Sequence, residues 1–146
     1  MSESDEPERP ALWAERTGTR TYTGRNLRGA EVLIGNGDAP GVFTPGELLQ
    51  IALAGCVGQS ADHRLAHALG DDFHGTVVVS VDKNAEENRY GSFDVEVIAD
   101  LASVDAAVRD KAVERGTSAI ERGCTVGRTL VAGATYRTVF TSEGAR

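Results

Sequence analysis

No stretch of this chain stays apolar for the roughly 18–20 residues that a membrane-spanning helix needs, so a transmembrane helix is excluded. It also lacks a block of lysine and arginine. With 15 basic against 22 acidic residues the formal net charge is −7, which argues against nucleic acid as a partner. The N-terminal residues Met-Ser-Glu-Ser-Asp-Glu-Pro-Glu-Arg-Pro have no apolar core. No signal peptide is expected there, and the cytoplasm is the expected compartment. Cysteine is scarce: Cys56 and Cys124 are the two, 68 positions apart. That spacing carries no local metal signature. In a reducing compartment such a pair is either two buried, inert side chains or a redox couple assembled by the fold.

What is present describes a globular protein. At 146 residues, with 40% hydrophobic and 25% charged residues, the chain can build a real core. Residues 1–10, charged and punctuated by proline, predict a disordered tail. Residues 11–146 predict a single domain without internal repeats.

The best-specified element is the stretch from Thr44 to Ser60. Thr44 suits an N-cap, Pro45 the first helical position, and Glu47 stands three residues after Thr44, which together make a capping box. Leu48, Leu49, Ile51, Ala52, Leu53, Ala54 and Val57 cover nearly the whole circumference, so a helix over 45–69, buried on most sides, is predicted. Gly70 supplies the stop. Cys56 lies in the middle of that run.

Around this helix the pattern is mostly strand. Residues 11–24 are strand-like although Gly18 interrupts, residues 24–29 read as a turn, and residues 30–34 form a second strand, predicting an N-terminal hairpin. Val77, Val79 and Val81 share one face of a strand over 73–81. Phe93, Val95, Val97 and Ala99 alternate with polar residues in its hairpin partner. A second helix, capped by Ser103 or Asp105, carries Val108, Ala112, Gly116, Ala119 and Ile120 on one stripe and stops at Gly123, with Cys124 immediately beyond. Residues 126–130 suggest a short helical or irregular link, and residues 134–141 a last strand. The predicted class is α+β: a largely antiparallel sheet with two helices segregated from it.

A nucleophilic cysteine needs a lowered pKa or a basic neighbour. His63, seven positions beyond Cys56, shares its stripe but lies about 10 Å along the axis, so an arginine from the N-terminal hairpin is the better source of positive charge. Glu47, nine positions before Cys56, lies on the opposite side of the helix and about 13 Å away, so capping is its primary role. His63 and His67 have an i, i+4 spacing that can bind metal, but no glutamate lies between them; neither metal nor cofactor is expected.

The run Thr44-Pro-Gly-Glu-Leu-Leu…Ala-Leu-Ala-Gly-Cys56, together with Cys124-Thr-Val-Gly-Arg-Thr-Leu130 just after a helix, resembles the OsmC/Ohr family of osmotically inducible and organic hydroperoxide resistance proteins. The match spans about Trp13 to Phe140. The resemblance implies an intertwined α+β homodimer and thiol peroxidase chemistry of a peroxiredoxin-like, antioxidant, stress-response kind. Cys56 matches the peroxidatic position, attacking an organic hydroperoxide to become a sulfenic acid. Cys124 matches the resolving position, forming a disulfide that a dithiol reductant of lipoyl or thioredoxin type reopens. Arg25 is the best match for the family's arginine and Arg20 the second, with Glu47 auxiliary. Two positions depart from the pattern. Gly46 stands where well-studied members have a glutamate, and Thr125 where they often have proline, which suggests an OsmC-like branch. The alternative on the same fold is a non-catalytic redox sensor or small-molecule-binding protein.

Overall fold

The computed structural model describes residues 11–144; the tail expected over 1–10 lies outside them. The chain divides into two compact units. One runs to Glu47 and resumes at Thr135; the other is Leu48–Ala134.

The first unit contains a three-stranded antiparallel meander: β1 (Leu12–Gly18), β2 (Thr21–Asn26) and β3 (Glu31–Ile34), in that order across the sheet. The sequence predicted a two-stranded hairpin of residues 11–24 and 30–34; its first, longer strand is in fact two. The fold-back falls at Gly18-Thr19-Arg20, where Arg20 takes a left-handed φ of 57°. Asn26 then closes the β2–β3 turn, its Oδ1 accepting from the amides of Arg28 at 2.9 Å and Ala30 at 3.1 Å. Side-chain-to-backbone bonds of this kind make Asn a turn former. Gly24 is required by packing, because a Cβ there would come within 2.8 Å of Val32 Cγ1.

Helix α1 (Pro45–Leu69) begins in the first unit and has the predicted bounds. Its capping box is formed as expected: the Glu47 amide donates to Thr44 Oγ1 at 3.1 Å, and Glu47 Oε1 accepts from the Thr44 amide at 2.8 Å.

In the second unit, α1 buries the stripe Leu53, Ala54, Val57, Ala61 and Leu65. Leu49 and Ile51 remain 40% and 46% exposed, so the single chain covers one side of the helix rather than its circumference. Strands β4 (Gly75–Asn84) and β5 (Arg89–Ala99) form an antiparallel pair. Val77 faces Val97, Val79 faces Val95, and Val81 faces Phe93, so the predicted alternation yields one apolar sheet face. Val77, Val79, Phe93, Val95 and Val97 pack on Leu53 and Val57 of α1. The contact is close at Gly58, where a Cβ would stand 3.3 Å from Val77 Cγ2.

A short 3-10 turn, Leu101–Ser103, leads into α2 (Ala106–Gly123), with Asp105 at the N-cap position. The small residues predicted to allow close approach do so. Ala112 and Gly116 are buried, and a Cβ on Gly116 would lie 3.8 Å from that of Ala61 on α1. After one intervening residue, Cys124, the helical alternative expected around 126–130 is realised as a third helix, α3 (Thr125–Ala132), which ends at Gly133 with φ 71°. The last strand expected over 134–141 is not formed. Tyr136, Val139 and Phe140 are 93%, 76% and 100% exposed, and the stretch has no ladder partner among the described residues. β-branched and aromatic residues favour an extended chain, but a strand also needs a neighbouring edge. No helix among the described residues is long and apolar enough to cross a membrane.

Candidate active site around two thiols

Cys124 sits at a corner. It ends α2, its amide donating to the Ile120 carbonyl at 3.0 Å, and it begins α3, its carbonyl accepting from the Arg128 amide at 2.9 Å. Its Sγ is the N-cap acceptor of α3, taking the Gly127 amide at 3.3 Å. Glycine at 127 keeps this approach close: a Cβ would be 3.2 Å from Cys124 Sγ, a tight contact, and 3.6 Å from Leu53 Cδ1. Cys124 is 2% exposed and belongs to the core cluster of Leu53 and Val57.

Cys56, half-buried on α1, packs against that cluster. The two thiols are free, pack in the same cluster and influence each other's acidity, although 68 positions separate them in sequence. Their acidities are driven apart. The Cys56 thiol is held below the ordinary value, chiefly by the Val126 amide and then by the Cys124 S–H; burial opposes them, and the Thr125 amide adds the smallest lowering effect. The Cys124 thiol is pushed up, first by burial and then by the hydrogen bond and charge of Cys56, with the Gly127 and Val126 amides opposing. The amides that act on Cys56, those of Val126 and Thr125, belong to the first turn of α3. Backbone donors and dipole at a helix N-terminus stabilise a thiolate. Both directions favour the thiolate at Cys56 over one at Cys124.

The amide donors are the feature that sequence reasoning missed. Backbone groups leave no side-chain signature, and the one available clue was that Cys124 follows a helix-ending glycine and precedes a second short helical pattern. Thr125 has a consequence here, since a proline at that position would have no N–H to offer.

The other expected site residues belong to the first unit and have local partners. Arg25 lies in β2 rather than in a turn; its guanidinium pairs with Glu31 and stands 3.8 Å from Glu15. Arg20 Nε donates to Asn36 Oδ1 at 3.2 Å. Glu47 completes the capping box. His63 and His67 lie on α1, and among the described residues no group of three His, Cys, Asp or Glu side chains gathers to hold a metal.

A cavity of about 660 Å³ opens beside Cys124. Leu53, Val57, Phe93, Val95 and Ile120 line it, with Arg128 and Glu121 as its charged members. Its size and lining suit an apolar organic molecule.

The OsmC family model, described as OsmC-like protein, matches residues 35–138. Uncharacterized proteins of Mycobacterium tuberculosis and Mycobacterium bovis are 45% identical over 134 residues, covering 92% of this chain and 98% of theirs. Among solved structures, a hypothetical protein from Aquifex aeolicus superposes with a TM-score of 0.65 at 18% identity, covering 87% of this chain and 90% of its own. An OsmC-like protein from Mycoplasma pneumoniae gives 0.58 at 14% identity, covering 88% and 91%. These two share the fold. With two antiparallel sheets, the long helix bearing one cysteine and the second cysteine at the α2–α3 corner, the chain belongs to the OsmC-like family.

Proposed function

We propose that the protein is a thiol peroxidase for organic hydroperoxides. The observation that carries this reading is the meeting of Cys56 and Cys124 with opposite acidities at the start of α3. The Cys56 thiolate attacks the terminal oxygen of R–O–OH. An S–O bond forms, the O–O bond breaks, and the alkoxide takes up a proton and leaves as the alcohol. The resulting sulfenic acid is two electrons more oxidised than the thiol. Cys124 attacks it, a disulfide forms and water leaves. An external dithiol, of lipoyl or thioredoxin type, then supplies two electrons and two protons to restore both thiols. The cavity beside Cys124 would receive the organic group R.

Arg25, with Arg20 as the second choice, is proposed to supply the fixed positive charge for the peroxide oxygens. Glu47 is auxiliary through the geometry of the α1 start. A homodimer is proposed as the working form. Its support is apolar surface left bare in each unit: Leu49 and Ile51 on α1 in the second, Val139 and Phe140 near the C-terminus in the first. The role would be an antioxidant one in the cytoplasm.

The deciding experiment is steady-state reduction of cumene hydroperoxide by the purified protein with dihydrolipoamide. Multiple turnovers are expected for the wild type and none above background for Cys56→Ser. Wild-type protein that consumes a single equivalent of peroxide with every dithiol supplied would instead favour a redox sensor. Gly46 in place of the family's carboxylate gives that second reading its support.

A further inference from the structure

A second concave site lies in the Leu48–Ala134 unit, between the C-terminal half of α1 and the first turns of α2. Its volume is about 250 Å³. Arg64 and His67 line it from α1, Lys111 and Arg115 from α2, over a floor that includes Ala112. The convergence follows from packing. Ala61, Ala112 and Gly116 are small and buried, so the helices come close. Residues at i, i+3 on one helix and i, i+4 on the other then present their side chains to the same groove.

No aspartate or glutamate lines this groove, in a chain where acidic residues outnumber basic ones by 22 to 15. Arg25, Arg89 and Arg109 each have a carboxylate within 4.0 Å, whereas among the described residues Arg64, Lys111 and Arg115 have none. Three fixed positive charges and an imidazole facing one cavity repel one another, and a multiply charged anion would offset that repulsion. Two guanidinium forks and an ammonium match the oxygens of a phosphate group. The volume falls below the about 300–1,000 Å³ usual for drug-sized ligands, which favours a small, highly charged ligand.

We propose that this groove binds a phosphate-type oxyanion, either free or carried on a small molecule. The proposal stands apart from the thiol chemistry and does not depend on it. Inorganic diphosphate is titrated into the full chain by calorimetry at constant ionic strength, in parallel with adenosine diphosphate and with adenosine. Saturable binding of diphosphate is expected, weakened at least tenfold in the Lys111→Gln/Arg115→Gln double variant and in Arg115→Gln alone by a smaller factor. Lys83→Gln, on the exposed side of β4, should bind as the wild type does. Tighter binding of adenosine diphosphate than of diphosphate, with adenosine silent, identifies a carried phosphate; the reverse order identifies the free ion. No saturable binding of either anion, or equal weakening in Lys83→Gln, overturns the proposal. Lys111 and Arg115 are exposed, so both variants should keep the wild-type circular dichroism spectrum. Diphosphate binding that is unchanged in the double variant would place the anion elsewhere and likewise overturns the proposal.

Discussion

The two units handle charge in opposite ways. In the three-stranded sheet, side-chain charge is answered by side-chain charge: Arg25 faces Glu31 and Glu15 within its own strands. Around the two thiols, it is backbone that answers: amides of Val126 and Thr125 turn toward Cys56, and that of Gly127 toward Cys124. A guanidinium already paired with carboxylates has less field to lend than a free one, whereas helix-end amides are fixed in place by the fold and need no reorganisation to stabilise an anion. Thiolate stabilisation in this chain therefore has a source that does not depend on how an arginine is oriented.

That contrast can be broken at several points. Replacing Cys124 with serine should have the largest effect. Turnover with a dithiol should fall by at least about 10²-fold, because resolution is lost, while the first oxidation of Cys56 survives. Trapping with dimedone should then show a stable sulfenic acid by mass spectrometry. Arg25→Gln comes next. If its guanidinium serves the peroxide oxygens, the bimolecular rate of Cys56 oxidation should drop about 10²-fold, the scale for removing one preorganised donor. A change below twofold would assign the stabilisation to α3 alone.

Thr125→Pro sharpens the comparison from the other side. Cys124 has φ −80° and ψ 92°, an extended conformation that a following proline tolerates, and proline suits the first position of a helix. The variant therefore deletes one amide hydrogen and little else. Cys56 has a lowered pKa, so its alkylation rate should persist below the pH range of an ordinary thiol and decline as pH falls through that lowered value. In Thr125→Pro the decline should move to higher pH, and reactivity at neutral pH should fall by less than about tenfold, because the Thr125 amide is the weakest of the groups acting on Cys56 and an ordinary hydrogen bond is worth about 0.5–1.5 kcal/mol. An unshifted profile of iodoacetamide reaction against pH would remove Thr125 from the account. The smallest effect belongs to Thr44→Ala, which should lower stability by about 1 kcal/mol in urea denaturation through loss of the α1 cap.

Helix α1 was legible to the residue because its start is written in local chemistry, with Thr44, Pro45 and Glu47 each fitting one slot. The β4–β5 pair was legible because alternation also dictates which side chains meet across the ladder. The fold-back near Arg20 was only half legible: Gly18 marked an interruption, but the left-handed residue is an arginine, which lacks the glycine or asparagine signal that usually fixes where such a bend turns. The C-terminal stretch was misread for a different reason: Tyr136, Val139 and Phe140 have the propensity of a strand, but propensity does not name the edge that completes it. Of the site, the two sulfurs could be read and their meeting anticipated through family resemblance. The tuning of their acidities could not, because it depends on where the first turn of α3 points.

The corner at Cys124 has one more implication. Its amide, carbonyl and sulfur are all engaged by the helices on either side, so this residue is an anchored post rather than a swinging arm. Any covalent bridge between the sulfurs must be reached mainly by rotation of the Cys56 side chain. The geometry of closure is therefore set from α1, and substitutions around Cys56 should govern how quickly the bridge forms, more than any loosening of the α2–α3 junction.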